Sequence, residues 1–150
     1  MSELTDDETQ QLKDLIQRST LSGIQFHELS ARLTHLESGR PKATSEDAEV
    51  ELSYQTRIGS SDFGVRTQVQ VASESGEATA IVAADYTLDA GAPPAPETME
   101  LFASEVALMA PFPYLREGVS TATTRVFGHP VFLPMIQRGD VRATNSPPAD

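Results

Sequence analysis

Apolar residues recur with period two through the middle of the chain and with a period near 3.6 towards both ends. Val50, Leu52, Tyr54, Thr56 and Ile58 alternate with polar neighbours, the signature of a strand with one buried face. Gly59-Ser60-Ser61-Asp62 reads as a turn. Phe63, Val65, Thr67, Val69 and Val71 then resume the alternation, with Arg66, Gln68 and Gln70 on the opposite side. A second turn around Gly76 leads into a third run, Ala78 to Leu88, centred on Ile81 and Val82. Connections this short join antiparallel neighbours, so a meander is predicted. Ile24 to Leu36 reads as a further strand whose parity changes part-way. Ile24 and Phe26 share one face and Leu29, Ala31 and Leu33 the other, which predicts a bulge near His27 to Glu28.

The ends follow the helical period. Residues 5 to 19 are predicted as a short helix ended by Gly23. Thr5 and Glu8 have capping-box spacing, and Leu12, Leu15 and Ile16 form a narrow stripe. Ser38 to Ala48 is polar, with Gly39 and Pro41, and reads as a loop. Ala90 to Pro96 carries three prolines and a glycine and reads as a crossover. Met99, Phe102, Val106 and Met109 then step by 3, 4 and 3, and Pro111 stops that helix. Leu115, Val119, Ala122 and Val126 step by 4, 3 and 4 in the next. Pro113 is harmless there, because a first-turn N–H has no partner anyway. Gly118, Ser120, Thr121, Ala122, Thr123 and Thr124 make this helix poor by propensity. Packing must hold it, and its small side chains permit close approach. Strands and helices are segregated, so the fold class is α+β. The prediction is a four-stranded antiparallel sheet with two C-terminal helices on one face and a short N-terminal helix. Residues 1–150 form a single domain, with residues 137–150 as a disordered tail.

Composition narrows the partners. The chain has 150 residues and a formal charge of −11, which disfavours nucleic acid and membrane surfaces and favours unfolded or net-positive polypeptide. It has 39% apolar residues, 6% aromatic residues and no Trp, a thin core that association would reinforce. The absence of cysteine removes disulfides, thiolate catalysis and cysteine metal sites. The acidic start, Met1-Ser2-Glu3-Leu4-Thr5-Asp6-Asp7-Glu8, does not have the form of a signal peptide, so a cytoplasmic location is expected.

Reactive constellations are missing from the pattern. His27 and His35 lie eight apart on one predicted strand, roughly 26 Å at strand rise and too far for one metal; His129 sits in a turn. No nucleophile elbow, phosphate loop or dinucleotide fingerprint is present. Asp85 and Asp89 fall at a strand end and read as solvated carboxylates. Neither catalytic residues nor a cofactor are predicted.

One stretch carries more information. Phe112-Pro113-Tyr114-Leu115-Arg116-Glu117 opens the last helix, and Arg125, Phe127, Pro130, Leu133 and Pro134 follow it. This pattern resembles the SecB-type protein-export chaperones, with a weaker likeness reaching back to about Ile24. The resemblance implies an ATP-independent holdase that binds unfolded or pre-secretory polypeptides in apolar grooves and works as a homotetramer, a dimer of dimers. The candidate client-binding residues are Ile24, Phe26, Leu52, Tyr54 and Val65, with Tyr86, Leu88 and Leu133. The candidate subunit contacts are Tyr114, Leu115, Arg116, Val119 and Ala122. The positions where the family carries acids for its translocase motor ATPase fall at Gly23, His27 and Ala84, none of them acidic, although Glu28 and Asp85 are adjacent. The tail after Gly139 also lacks the family's ending. Both departures count against motor docking. They leave open a dedicated chaperone for a single partner, such as an antitoxin of a toxin–antitoxin system, or else a small enzyme or lipid-binding domain if a deep polar pocket exists.

Overall fold

The computed structural model describes residues 3–34 and 48–134 and the backbone of residues 142–143. Helix α1 (Asp6–Gln17) begins with the predicted capping box. The Glu8 N–H donates to Thr5 Oγ1 at 3.1 Å and the Thr5 N–H donates to Glu8 Oε2 at 2.9 Å. Gly23 does not end this helix. The chain passes through Arg18 straight into β1 (Ser19–Leu33), which starts five residues ahead of Ile24. Gly23 instead lies inside β1, beside a register shift at Ser22.

Strands β2 (Glu49–Ile58), β3 (Asp62–Ala72) and β4 (Gly76–Leu88) are joined by the two predicted tight turns and form the expected meander. β1 departs from it. The strand order is β1-β4-β3-β2, so β1 lies antiparallel to β4 at one edge, a Greek-key order rather than a four-strand meander. The reason lies in the connections. Two short turns hold β2 to β4 together, whereas the long segment after Leu33 frees β1 to cross to the far edge. A two-residue strand, β5 (Arg142–Ala143), adds in parallel to β2 at Ser53 and Tyr54. Apart from this pair, the tail read as disordered lies outside the described residues, as does His35.

Helix α2 (Pro96–Glu105) carries proline in its first turn. It does not continue to Met109: the chain tightens at Val106 into a 3-10 turn, Ala107–Met109. Val106 leaves helical geometry at φ −123° and ψ −54°, ahead of Pro111, whose missing N–H could not have bonded the carbonyl four residues back. The change of pitch turns Ala107 and Leu108 inward and Met109 outward, at 60% exposure. Helix α3 (Phe112–Phe127) follows, capped by Gly128 at φ +87°, whose N–H bonds the Thr124 carbonyl at 3.1 Å. Only glycine reaches this conformation without strain.

All three helices lie on one face of the sheet. Under α1 and α2, Phe63, Tyr86 and Phe102 form an aromatic cluster. Phe63 stacks on Tyr86 with centroids 5.1 Å apart, and Phe102 meets both edge-on at 5.3 and 5.1 Å. Leu12, Leu15, Met99 and Leu108 complete this half of the core. Under α3, Val69, Val71, Ala80 and Val82 pack against Phe112, Leu115, Val119 and Phe127. Thr123 takes the buried position expected of Ala122. Its hydroxyl donates to the Val119 carbonyl at 2.7 Å and accepts the Val131 N–H at 2.8 Å, fastening the segment beyond α3 onto the core. No helix among the described residues is long and apolar enough to cross a membrane.

Candidate functional site

The bulge predicted in β1 is present, and it creates the site. Phe26 pairs with Val82 and Glu28 with Ile81, leaving His27 as the extra residue. The parity change places Ile24, Phe26, Leu29, Ala31 and Leu33 opposite Ala84, Val82, Ala80, Ala78 and Gly76, all on the helix side. These five residues form an apolar row along an edge strand. β4 offers three alanines beneath it, so α3 sits close to the sheet.

Gly118 is the point of closest approach. A Cβ there would stand 2.9 Å from Phe26 Cε1 and 3.2 Å from Leu29 Cδ1. The helix covers the row without sealing it. Leu29 keeps 45% of its surface exposed and Leu21 43%, while Ile24, Phe26, Ala31 and Leu33 are half-buried. Tyr114 shares a helical stripe with Gly118, one turn earlier, and is 47% exposed. The outer edge of β1 pairs with no other strand among the described residues, leaving backbone donors and acceptors beside this row. An extended segment could therefore add to the edge while its side chains settle against Leu21, Phe26 and Leu29.

The residues singled out by sequence divide. Ile24, Phe26 and Leu52 are half-buried. Tyr54, Val65, Tyr86, Leu88 and Leu133 are core residues of the protomer, enclosed by the helices and by the segment after α3. They support the surface and do not line it. Among the subunit-contact candidates, Leu115 and Val119 are completely buried against the protomer's own sheet, so they anchor α3 internally. Tyr114 and Arg116 are exposed and Ala122 is half-buried. Sequence reasoning assigned Leu21, Leu29 and Gly118 no part in the site. The available signal was a glycine inside a helix, which costs stability unless something must come close.

The polar groups serve structure. The Arg116 guanidinium lies over the Phe112 ring at 6.0 Å, and Glu117 accepts a hydrogen bond from Thr121. The Tyr54 hydroxyl donates to Glu100 Oε2 at 3.4 Å. Burial, reinforced by the Glu100 charge and this hydrogen bond, pushes the Tyr54 phenol up to about 12. Burial raises Tyr86 as well. Asp85 pairs with Arg57 at 3.3 Å, whereas Asp89 accepts from Thr20; the two carboxylates do not act together. No cluster of three or more metal-ligating side chains occurs among the described residues.

Known proteins bear on this arrangement. The chain is 30% identical over 135 residues to the SecB-like chaperone SmegB of Mycolicibacterium smegmatis, spanning 90% of this chain and 87% of that protein. This chain belongs to the SecB-like chaperones. The fold agrees: the Mycobacterium tuberculosis SecB-like chaperone Rv1957, solved with a ChAD peptide from the Rv1956 HigA1 antitoxin, superposes with a TM-score of 0.70. That match covers 89% of this chain and all of the other at 20% identity. No family model matches the sequence.

Proposed function

We propose that this chain is an ATP-independent holdase that grips unfolded polypeptide along the β1–α3 strip. The half-covered apolar row on an edge strand that pairs with no further strand among the described residues carries this reading. Main-chain hydrogen bonds to β1 would bind any extended sequence. Side chains settling on Leu21, Phe26 and Leu29 would each contribute about 1.5–3 kcal/mol for a fully buried Leu-sized group. Such a site selects for extended apolar segments with little preference for sequence. The purified protein is expected to suppress aggregation of a chemically denatured model protein at near-stoichiometric ratio. A folded sample without such suppression would refute the reading.

A narrower client class has one specific support. The solved relative holds a peptide from an antitoxin, so an antitoxin segment is the first partner to test. We also propose a cytoplasmic homotetramer. The exposed Tyr114 ring provides a contact that one protomer leaves unused. Light scattering that returns a monomer mass at working concentration would exclude the assembly.

A further inference from the structure

The two edges of the sheet are not alike. The edge at β1 pairs with no further strand among the described residues, whereas the edge at β2 carries the chain's own C-terminal segment. All ten residues of β2 pair with β3 on the inner side. On the outer side, among the described residues, only Ser53 and Tyr54 have partners, Arg142 and Ala143 of β5. That ladder is two residues long and parallel, the weaker kind of pairing per residue. β2 contains no proline, so each of its outward N–H groups can donate. The edge also has an apolar flank: Val50, Leu52, Leu101 and Val106 pack against the core yet stay half-buried. Helix α2 reaches this edge where the Tyr54 hydroxyl donates to Glu100, and β5 lies against both β2 and α2. Free main-chain groups beside half-buried apolar side chains are the combination that accepts an added strand. At β2 that place is taken by the molecule itself.

We propose that β5 is an autoinhibitory strap: the backbone of Arg142–Ala143 holds the β2 edge in place of an added extended polypeptide and yields when one competes for the same groups. Two residue pairs alone would hold a free peptide only weakly. Residues 135–141 tether the strap to Pro134, which makes its pairing intramolecular, with an effective concentration on the order of millimolar. An arriving chain must match that concentration or pair with more of β2 than the strap does. The rest of β2, on either side of Ser53 and Tyr54, gives a longer strand room to begin beside the strap and displace it stepwise. The strap also protects the protein, because a bare edge invites pairing between copies. The proposal shares with the client-binding reading only the idea of strand addition; the edge, the occupant and the readouts differ.

The test uses the full chain and a fluorescein-labelled peptide copying residues 138–147, with a scrambled peptide as control. Arg142→Pro/Ala143→Pro removes both strap N–H groups. Anisotropy should show the peptide binding this variant about tenfold more tightly than the parent, the gain expected when a millimolar internal competitor is removed. Circular dichroism should stay native, and amide shifts on binding should fall on Leu52 to Gln55 of β2. The opposite lock is Ser53→Cys/Arg142→Cys. Facing residues on neighbouring strands lie within disulfide range, and the chain has no cysteine of its own. Oxidised, this variant should exclude the peptide; reduced, it should bind as the parent does. Equal affinity of the parent and the proline variant overturns the strap. So does a peptide that binds neither at millimolar concentration, failure of the two introduced thiols to cross-link, or shifts confined to β1. A proline variant that dimerises instead of taking up peptide also overturns it, because a second copy would then be what β5 holds off. Aggregation suppression by the parent chain is measured separately, so the β1–α3 reading stands or falls on its own result.

Discussion

The two halves of the helix-covered sheet face are built differently. Under α1 and α2 the core is aromatic and closed: Phe63, Tyr86 and Phe102 interlock, and none is more than 8% exposed. Under α3 the sheet contributes alanine and valine, the helix contributes Phe112, Leu115, Val119 and Phe127 around the small Gly118, and the flank along β1 is only partly covered. The first half holds the fold together through a few large rings. The second half gives up closure and leaves apolar surface along β1, the surface proposed above to hold another chain. On that proposal, stability and binding would occupy adjacent regions that share strands.

Substitutions can separate the halves. Phe102→Ala should be the most damaging, because it opens a cavity in the closed half; a loss of about 3–5 kcal/mol is expected in denaturant unfolding, and a loss under about 1 kcal/mol would mean that the aromatic cluster is not the keystone. Gly118→Val comes next. Its side chain must displace Phe26, at about 1–3 kcal/mol for overpacking, and aggregation suppression should fall with it. Leu29→Ser should invert that relation: about 0.5 kcal/mol or less in stability, with a clear loss of suppression. Equal suppression by Leu29→Ser and the parent chain would move the client surface elsewhere. Tyr114→Ala should leave unfolding nearly unchanged but lower the mass seen by light scattering.

The closed half should also respond to alkali. A phenol whose folded value is raised to about 12 from an ordinary 10 stabilises the fold fully below pH 10, and that contribution is lost as the pH rises through about 12. Stability should therefore fall between these limits, and Tyr54→Phe should make the decline shallower. An identical pH profile for the two proteins would show that Tyr54 ionises as freely in the fold as out of it.

Much of this was legible in the sequence. The strands β2 to β4 follow directly from alternation, the capping box from Thr5 and Glu8, and the bulge at His27 from a parity change. Two kinds of information were hidden. Pairing order is not encoded in periodicity, so nothing in β1 itself announced β4 as its neighbour. Apolar identity also does not say whether a residue supports a surface or forms it. Val65 and Leu29 look equally hydrophobic, yet one lies beneath Phe102 and its neighbours while the other borders solvent. Helix ends were read imperfectly where the helical pitch changes. The chain tightens at Val106 into a 3-10 turn, and the stripe through Met109 fails for that reason.

The interruptions at Ser22 and His27 have a last consequence. A molecule that presents a long bare strand rim to sticky polypeptide risks seeding fibrils of its own. Here two register shifts interrupt the rim, and bulges bend and twist a strand locally, so a guest on the proposed site would zip on for only a few residues before the geometry stopped matching. The same irregularity that turns Leu29, Ala31 and Leu33 to the helix side would thereby limit how far another chain could propagate there as cross-β.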